Sequence, residues 1–372
     1  MKLLLVGGHL TPALAFIDYL QEKAPEVSLV FLGRLYARKQ SKQPAHEKTE
    51  VEKRGVLFVP FDSGKLIAAH PVFQLVHLAL LVITVPLAMV KLIQLKPSVV
   101  LCFGGYLGVP ISLAAWILRI PIVTHEQTRG LGLANRLISF FAKKTALSHK
   151  ESLKFVSKSK AVVTGNPVRR SLFTPNPTKP SWITKNIDRP ILYITGGSQG
   201  SEIINSTIVQ VLETLTKQWV VIHQCGAAST QRNYKKELLS AVQMLSKKSQ
   251  DRYNVREWVA DQELAWIYQQ TQIVISRSGA NTVEELSRFA IPSILIPLPF
   301  AHQQEQLKNA EAMKRIGGAV IIDQKSLNPK TLLESIDHVQ KRHDQMSRKL
   351  QASVGKLDAC DKLFALIQDV QE

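Results

Sequence analysis

Residues 192–201, Leu-Tyr-Ile-Thr-Gly-Gly-Ser-Gln-Gly-Ser, constrain the fold more than any other stretch of this chain. A β-branched and aromatic run stops at two glycines, and an amphipathic pattern starts at Glu202-Ile203-Ile204-Asn205. That pattern predicts a strand, a tight turn and a helix start. Glycine lets the backbone turn sharply and approach a ligand closely. A helix starting there aims unpaired N–H groups and a positive dipole end at the space over the turn, a setting suited to phosphate. The chain opens with the same unit, Lys2-Leu3-Leu4-Leu5-Val6-Gly7-Gly8-His9, followed by a helical pattern from Pro12. The halves then stay in step. Residues 99–105 run as a strand into Gly104-Gly105, and residues 272–280 do the same into Ser278-Gly279-Ala280. Residues 120–124 are echoed by 291–296. Three matching signals in one order predict an α/β fold of two similar lobes, each a doubly wound parallel sheet. Ligands of such sheets bind beyond the carboxyl ends of the strands. Both glycine turns, residues 125–127 and residues 276–279 are therefore expected to face one interlobe cleft.

A chain of 372 residues is long enough for two full cores. The proline-rich run 174–180 has linker composition. The predicted division is a first lobe over 1–166, a second over 167–345, and a C-terminal helix over 346–372 that is free to return to the first lobe. Cys102, Cys225 and Cys360 are far apart and odd in number, and no CxxC occurs. This fits a reducing compartment and argues against a disulfide framework or a metal site. The net charge of +18 either faces nucleic acid, anionic lipid or an acidic substrate or is solvated, and lysines spread along the whole chain assign part of it to a solvated surface. No helix-turn-helix, zinc-finger or RNP signature is present, which argues against nucleic acid.

Residues 66–90 carry no formally charged side chain. A bilayer span needs about 20 apolar residues. Here Gln74, His77, Thr84 and Pro86 interrupt the run, and a span would put parts of one sheet on opposite sides of the membrane. The expectation is a helix pair whose exposed apolar face dips into the bilayer surface. Lys65, Lys91 and Lys96 flank it and favour anionic headgroups. Residues 66–96 are thus predicted to hold the chain peripherally on an anionic membrane surface. Residues 38–54 are polar with no clear period, 135–144 read as a basic helix, and 161–164 as the last strand of the first lobe.

Seven motifs occur in one order: Gly-Gly-His-x-x-Pro-Ala-Leu-Ala at 7–15, Gly-Gly-Tyr at 104–106, His-Glu-Gln at 125–127, Gly-Asn-Pro-Val-Arg at 165–169, Gly-Gly-Ser-Gln-Gly at 196–200, Ser-Arg-Ser-Gly-Ala-x-Thr-x-x-Glu at 276–285 and Gln-x-x-Asn-Ala at 306–310. In this the chain resembles the MurG-type peptidoglycan N-acetylglucosaminyltransferases over nearly its whole length. The resemblance implies a GT-B fold on the cytoplasmic face of the cell membrane. It implies inverting transfer of N-acetylglucosamine from UDP-N-acetylglucosamine to the muramic C4 hydroxyl of undecaprenyl-pyrophosphoryl-MurNAc-pentapeptide (lipid I), giving lipid II. Such a transfer needs a base for the acceptor proton and stabilisation of the departing UDP. No Asp-x-Asp is present, so the diphosphate falls to backbone N–H groups, helix dipoles and hydroxyls, with no metal and no cofactor. Gly197, Ser198, Ser278, Gly279 and Ala280 suit that role, and Arg169 adds a positive charge. By resemblance Glu285 binds the ribose, Gln306 the sugar, Val259 the uracil, and Thr282 lies among them. His9 is the base candidate and Glu126 its rival. Gly8, Thr11, Gly104, Tyr106, Gln127 and Thr128 make up the acceptor side.

The sequence departs from the family in three places. Only Gly7-Gly8 precedes His9 where the family has Gly-Gly-Thr-Gly-Gly-His, Thr128 replaces an Asn, and Glu305 stands where His or Gln is common. The donor lobe matches better than the acceptor lobe. Two alternatives stay open: another GT-B UDP-sugar transferase with a different lipid or glycan acceptor, or a catalytically silent membrane-associated nucleotide-sugar binder. A nicotinamide enzyme is disfavoured because neither turn is Gly-x-Gly-x-x-Gly.

Overall fold

The computed structural model describes residues 1–35, 46–61, 71–184, 186–197, 199–227 and 233–371, without the side chains of His46, residues 71–82 and His302. The chain forms two compact units, Met1–Arg170 together with Lys356–Glu372, and Ser171–Gly355.

In the first unit the order is β1 (Lys2–Val6), α1 (Leu10–Lys23), β2 (Ser28–Gly33), α2 (His46–Lys53), β3 (Leu57–Pro60), α3 (Pro71–Leu95), β4 (Val99–Cys102), α4 (Gly108–Ile117), β5 (Ile122–Glu126), α5 (Leu133–Phe141), β6 (Lys144–Leu147) and β7 (Ala161–Val163). The second unit holds β8 (Ile191–Thr195), α6 (Glu202–Gln218), β9 (Val220–Gln224), α7 (Tyr234–Gln243), α8 (Lys247–Asp251), β10 (Tyr253–Arg256), α9 (Asp261–Gln270), β11 (Thr271–Ser276), α10 (Ala280–Arg288), β12 (Ser293–Leu295), α11 (Glu305–Ile316), β13 (Ala319–Ile321), α12 (Pro329–Lys341) and α13 (His343–Ser353). Helix α14 (Ala359–Gln371) belongs to the first unit.

The first sheet has the order β3-β2-β1-β4-β5-β6-β7 and the second β10-β9-β8-β11-β12-β13, and all the pairings are parallel. Strand order reverses between β1 and β4, and again between β8 and β11, so each unit has its crevice where ligands of open parallel sheets bind. The paired strand signals of the two halves thus occupy equivalent sheet positions. Alternate residues of each strand feed opposite faces, as a sheet covered on both sides requires. Leu3 and Leu5 pack against α1 and α14, while Leu4 and Val6 pack against α3 and α4. In the second unit Leu192 and Ile194 face α6 and α12, and Ile191 and Tyr193 face α9, α10 and α11.

The structure corrects several expectations. The apolar segment forms one helix, α3, rather than a helix pair; Pro86 lies inside it. Residues 62–70 of that region lie outside the description. The polar stretch contains α2, and the basic helix stops at Phe141 so that Lys144–Leu147 can form β6 between β5 and β7. The stretch 346–372 is broken rather than one helix. Its first part ends α13 in the second unit, and α14 fills a groove of the first with Leu363, Leu366, Ile367 and Val370. Among the described residues no helix is long and apolar enough to cross a membrane.

Candidate active site

In the first unit the crevice is built by two glycine turns in backbone contact. A Cβ on Gly8 would collide with the Gly104 carbonyl, and one on Gly105 would lie 2.8 Å from the Gly8 Cα. Gly104 and Gly105 both have φ near +73°, which excludes most side chains on a second count. His9 follows directly, its N–H donating to the Phe103 carbonyl at 2.9 Å. The half-buried imidazole has Nδ1 2.6 Å from Gln127 Nε2. Burial lowers its pKa from the ordinary value, and the charge of Glu126 works against that shift. Thr11 sits half-buried on the first turn of α1. Tyr106 carries the Arg34 guanidinium 5.6 Å from its ring centre.

Glu126 ends β5 and is 1% exposed. Its Oε1 accepts from Thr128 N at 2.9 Å and Thr128 Oγ1 at 2.7 Å, and its Oε2 from Gly132 N at 2.8 Å and Asn135 Nδ2 at 3.0 Å. Four donors saturate the carboxylate and leave it no lone pair for an acceptor hydroxyl. It ties residues 126–132 to the start of α5, where its charge suits the helix N-terminus. Asn135 is the hub of this brace: Oδ1 accepts from Thr124 Oγ1 at 2.7 Å, and Nδ2 also donates to the His125 carbonyl at 3.1 Å. His125 is buried, with Nε2 3.2 Å from both the Gly165 carbonyl and Ser148 Oγ. Burial pushes its pKa down to about 4, so it stays neutral.

The second unit has the matching arrangement. Gly196 and Gly200 leave no room for a Cβ, against the Ser201 backbone and the Cys225 carbonyl respectively. Gly197, with φ +83°, faces open space. Its N–H donates to Thr195 Oγ1 at 3.0 Å, and its carbonyl lies 3.5 Å from Gln224 Nε2. Ser198 lies outside the described residues. Helix α6 starts beyond this turn, and α10 starts beyond Gly279 in the neighbouring turn. Both helix N-termini therefore follow strands β8 and β11 at the point of reversal, the geometry that suits an anion. Ser278 is buried, its hydroxyl donating to the Gln306 carbonyl at 2.7 Å, while Asn309 Nδ2 donates to the Ser278 carbonyl at 3.2 Å. The side chain of Gln306 accepts from Leu298 N at 3.0 Å. Ahead of it Gln303 and Gln304 are both left-handed, an unusual backbone that sets the start of α11.

The structure brings Gly8, His9, Gly104 and Gln127 together in one unit, and Gly197, Ser278, Gly279, Ala280 and Gln306 along the carboxyl edge of the other. Thr282 is half-buried on α10. Glu285 on the same helix is 1% exposed, with Tyr268 donating to Oε2 at 3.4 Å. Val259 packs its side chain into the core. Arg169 belongs to the first unit. Sequence reasoning missed Asn135 and Gln224, and it gave Arg277 no role of its own within the 276–285 motif. The Arg277 guanidinium donates to Ile296 O at 3.0 Å, Ser201 Oγ at 2.8 Å and Gln324 Oε1 at 2.7 Å, bridging three loops at the sheet edge. Among the described residues no cluster of His, Cys, Asp and Glu could hold a metal ion.

Residues 6–147 match the glycosyltransferase family 28 N-terminal domain, and residues 191–363 the family 28 C-terminal domain. The chain is 30% identical to UDP-N-acetylglucosamine--N-acetylmuramyl-(pentapeptide) pyrophosphoryl-undecaprenol N-acetylglucosamine transferase 2 of Bacillus cereus, over 98% of this chain and 97% of that one. It is 32% identical to the transferase of the same description from Lachnoclostridium phytofermentans, over 98% and 96%. The crystal structure of Acinetobacter baumannii MurG superposes with a TM-score of 0.71 over 99% of each chain at 23% identity, a likeness of fold. Two domain matches in the family's order and relatives at 30% identity or more along the whole length make this chain a member of glycosyltransferase family 28, of the MurG type.

Proposed function

We propose that the chain is an inverting hexosyltransferase that moves N-acetylglucosamine from UDP-N-acetylglucosamine to the C4 hydroxyl of MurNAc in lipid I, making lipid II for peptidoglycan. Its nearly full-length similarity to two transferases of that description carries the reading. The second unit takes the donor. Gly197, Gly279, Ala280 and the starts of α6 and α10 face the diphosphate, which needs no metal when helix N-termini stabilise the charge on the leaving UDP. Glu285 and Gln306 take the ribose and the sugar, and the Val259 backbone takes the uracil.

The first unit takes the acceptor. The muramic hydroxyl is far less acidic than imidazolium, so its proton leaves as the new bond to the anomeric carbon forms and the bond to UDP breaks. His9 Nε2 receives that proton. For Nε2 to be free, Nδ1 must carry the other proton, so Gln127 turns its carbonyl oxygen to Nδ1 in the reacting state. Glu126 is the brace of the loop beside it rather than the base.

Membrane attachment in this reading is peripheral and on the cytoplasmic face. Helices α3, α4 and α5 lie side by side on one face of the first sheet. They expose Ile83, Leu87, Trp116, Leu137 and Phe140, the last by 72%. Lys91, Arg136 and Lys143 lie on or beside the same helices. Exposed apolar side chains with cations on or beside the same helices suit an anionic bilayer surface.

The test supplies labelled UDP-N-acetylglucosamine and a lipid I analogue in EDTA. Formation of the β-linked disaccharide product is expected. Donor binding without transfer to lipid I, but with transfer to another acceptor, would favour the second transferase reading. Donor binding with no transfer to any acceptor would make the chain a silent binder.

A further inference from the structure

Beneath the second glycine turn lies a buried polar relay that the transfer chemistry does not use. His223 in β9 is 0% exposed, with Nδ1 2.6 Å from Tyr253 Oη and Nε2 3.0 Å from Asn205 Oδ1. Asn205, in the first turns of α6, donates from Nδ2 to the Cys225 carbonyl at 2.9 Å. Only the amide nitrogen can donate to a carbonyl, so Asn205 Oδ1 must face His223. An oxygen there demands a proton on Nε2. Burial pushes the imidazole pKa down to about 3 and holds the Tyr253 phenol protonated. Neutral His223 therefore carries its proton on Nε2 and accepts the Tyr253 hydroxyl at Nδ1. Every hydrogen bond in the chain Tyr253–His223–Asn205–Cys225 thus has one direction.

The far end of this relay is the underside of the proposed phosphate turn. The Cys225 carbonyl is the group against which Gly200 packs, and Gly226 packs on Gly200 in turn. The next residue, Gln224, accepts from Tyr193 Oη at 3.1 Å and turns Nε2 to the Gly197 carbonyl at 3.5 Å. Residues 223–226 therefore form a template that sets the turn from below and fixes the start of α6 through Asn205.

We propose that His223, as its Nε2–H tautomer, is a positioning residue for the donor diphosphate, holding the α6 N-terminus and the backbone of Gly197 and Gly200 in the geometry that receives it. This rests on the donor reading of the second unit. A misplaced helix start weakens a diphosphate contact while leaving the acceptor side untouched.

The test compares wild type, His223→Gln and His223→Phe by UDP titration calorimetry and by steady-state kinetics. Gln places an N–H close to where Nε2–H lies, and Phe keeps the ring and removes both hydrogen bonds. His223→Phe is expected to weaken UDP binding and raise donor KM by about tenfold or more with acceptor KM unchanged, and His223→Gln to recover most of that loss. The ¹⁵N shifts of His223 are expected to report one tautomer, unchanged from pH 8 to pH 5. Wild-type UDP affinity in a folded His223→Phe protein, or a His223 resonance that titrates in that range, would overturn the proposal. If His223→Phe does not fold, a mixed His223 tautomer in the wild-type protein would overturn it as well. No UDP binding by wild type would instead overturn the donor reading and this proposal with it.

Discussion

Replacing Glu126 by glutamine separates a base from a brace. The amide preserves shape but keeps only one acceptor oxygen. If its nitrogen takes the Oε2 position, it confronts Gly132 N–H and Asn135 Nδ2, both donors. Asn135 cannot turn over to help, because its Oδ1 already accepts from Thr124 and its Nδ2 donates to His125 O. With the nitrogen at the Oε1 position, the Thr128 hydroxyl can rotate to accept, and only Thr128 N–H is stranded. This second placement is the cheaper. It leaves one buried donor unsatisfied, at about 1–3 kcal/mol, and weakens charge-assisted hydrogen bonds to neutral ones at about 1 kcal/mol each. A loss of roughly 3–5 kcal/mol follows, a large part of a typical domain stability of about 5–15 kcal/mol. Urea unfolding followed by circular dichroism should show the drop, and UDP titration should show a second unit that still binds. A catalytic base would behave in the opposite way, with unchanged unfolding and kcat down about 10²-fold or more. That outcome would refute the brace.

His9→Ala should lower kcat about 10²–10⁴-fold with donor KM nearly intact, and the acid limb of kcat should lie below pH 6.5 because burial lowers the imidazole pKa; full turnover by His9→Ala would remove the base assignment. Buried His125 and His223 have pKa values pushed down to about 4 and about 3, whereas the unfolded chain protonates them near 6.5. Their stabilisation is complete above the unfolded value and is lost as pH falls toward the folded one, at about 1.4 kcal/mol per pH unit for each group. The urea midpoint should fall from pH 7 to pH 5, and a His125→Gln variant whose midpoint keeps the whole slope would contradict this. Leu137→Ser with Phe140→Ser should weaken binding to anionic vesicles by about tenfold or more, given about 1.5–3 kcal/mol per buried apolar side chain, and wild-type binding should fade with salt. Unchanged flotation of the double variant would take α5 out of the membrane surface.

The strand-to-glycine transitions were legible because a fully buried parallel strand reads as an unbroken apolar run and a turn at positive φ selects glycine. Strand β6 was not, since Lys-Thr-Ala-Leu is short, opens with a lysine and has too few apolar residues to stand out. Helix α2 escaped for another reason. Among its described side chains Val51 alone is fully buried, and the helix leans on ion pairs such as Lys48–Glu52 rather than an apolar stripe. The sequence reads as a helix pair over residues 66–90, but Pro86 is exposed and α3 continues past it as one helix. At the site, the motif residues pointed to the right turns and not to their roles. Whether Glu126 is a base or a brace depends on Gly132 and Asn135, six and nine positions downstream, whose donors only the fold brings to it.

Helix α14 follows the second unit in sequence yet completes the core of the first, where Leu363 and Ile367 pack with Leu3, Phe16 and Leu101. On a ribosome, then, the part made first is finished last. Strands β1 to β7 emerge with one flank uncovered and wait while Ser171–Gly355 is translated, on the order of ten to forty seconds at about 5–20 residues per second. During that interval the contiguous second unit has everything it needs to fold, and the nascent first unit carries an open apolar groove on the sheet face opposite its α3–α5 surface. A chaperone or the membrane itself has its longest opportunity to engage this protein in that window.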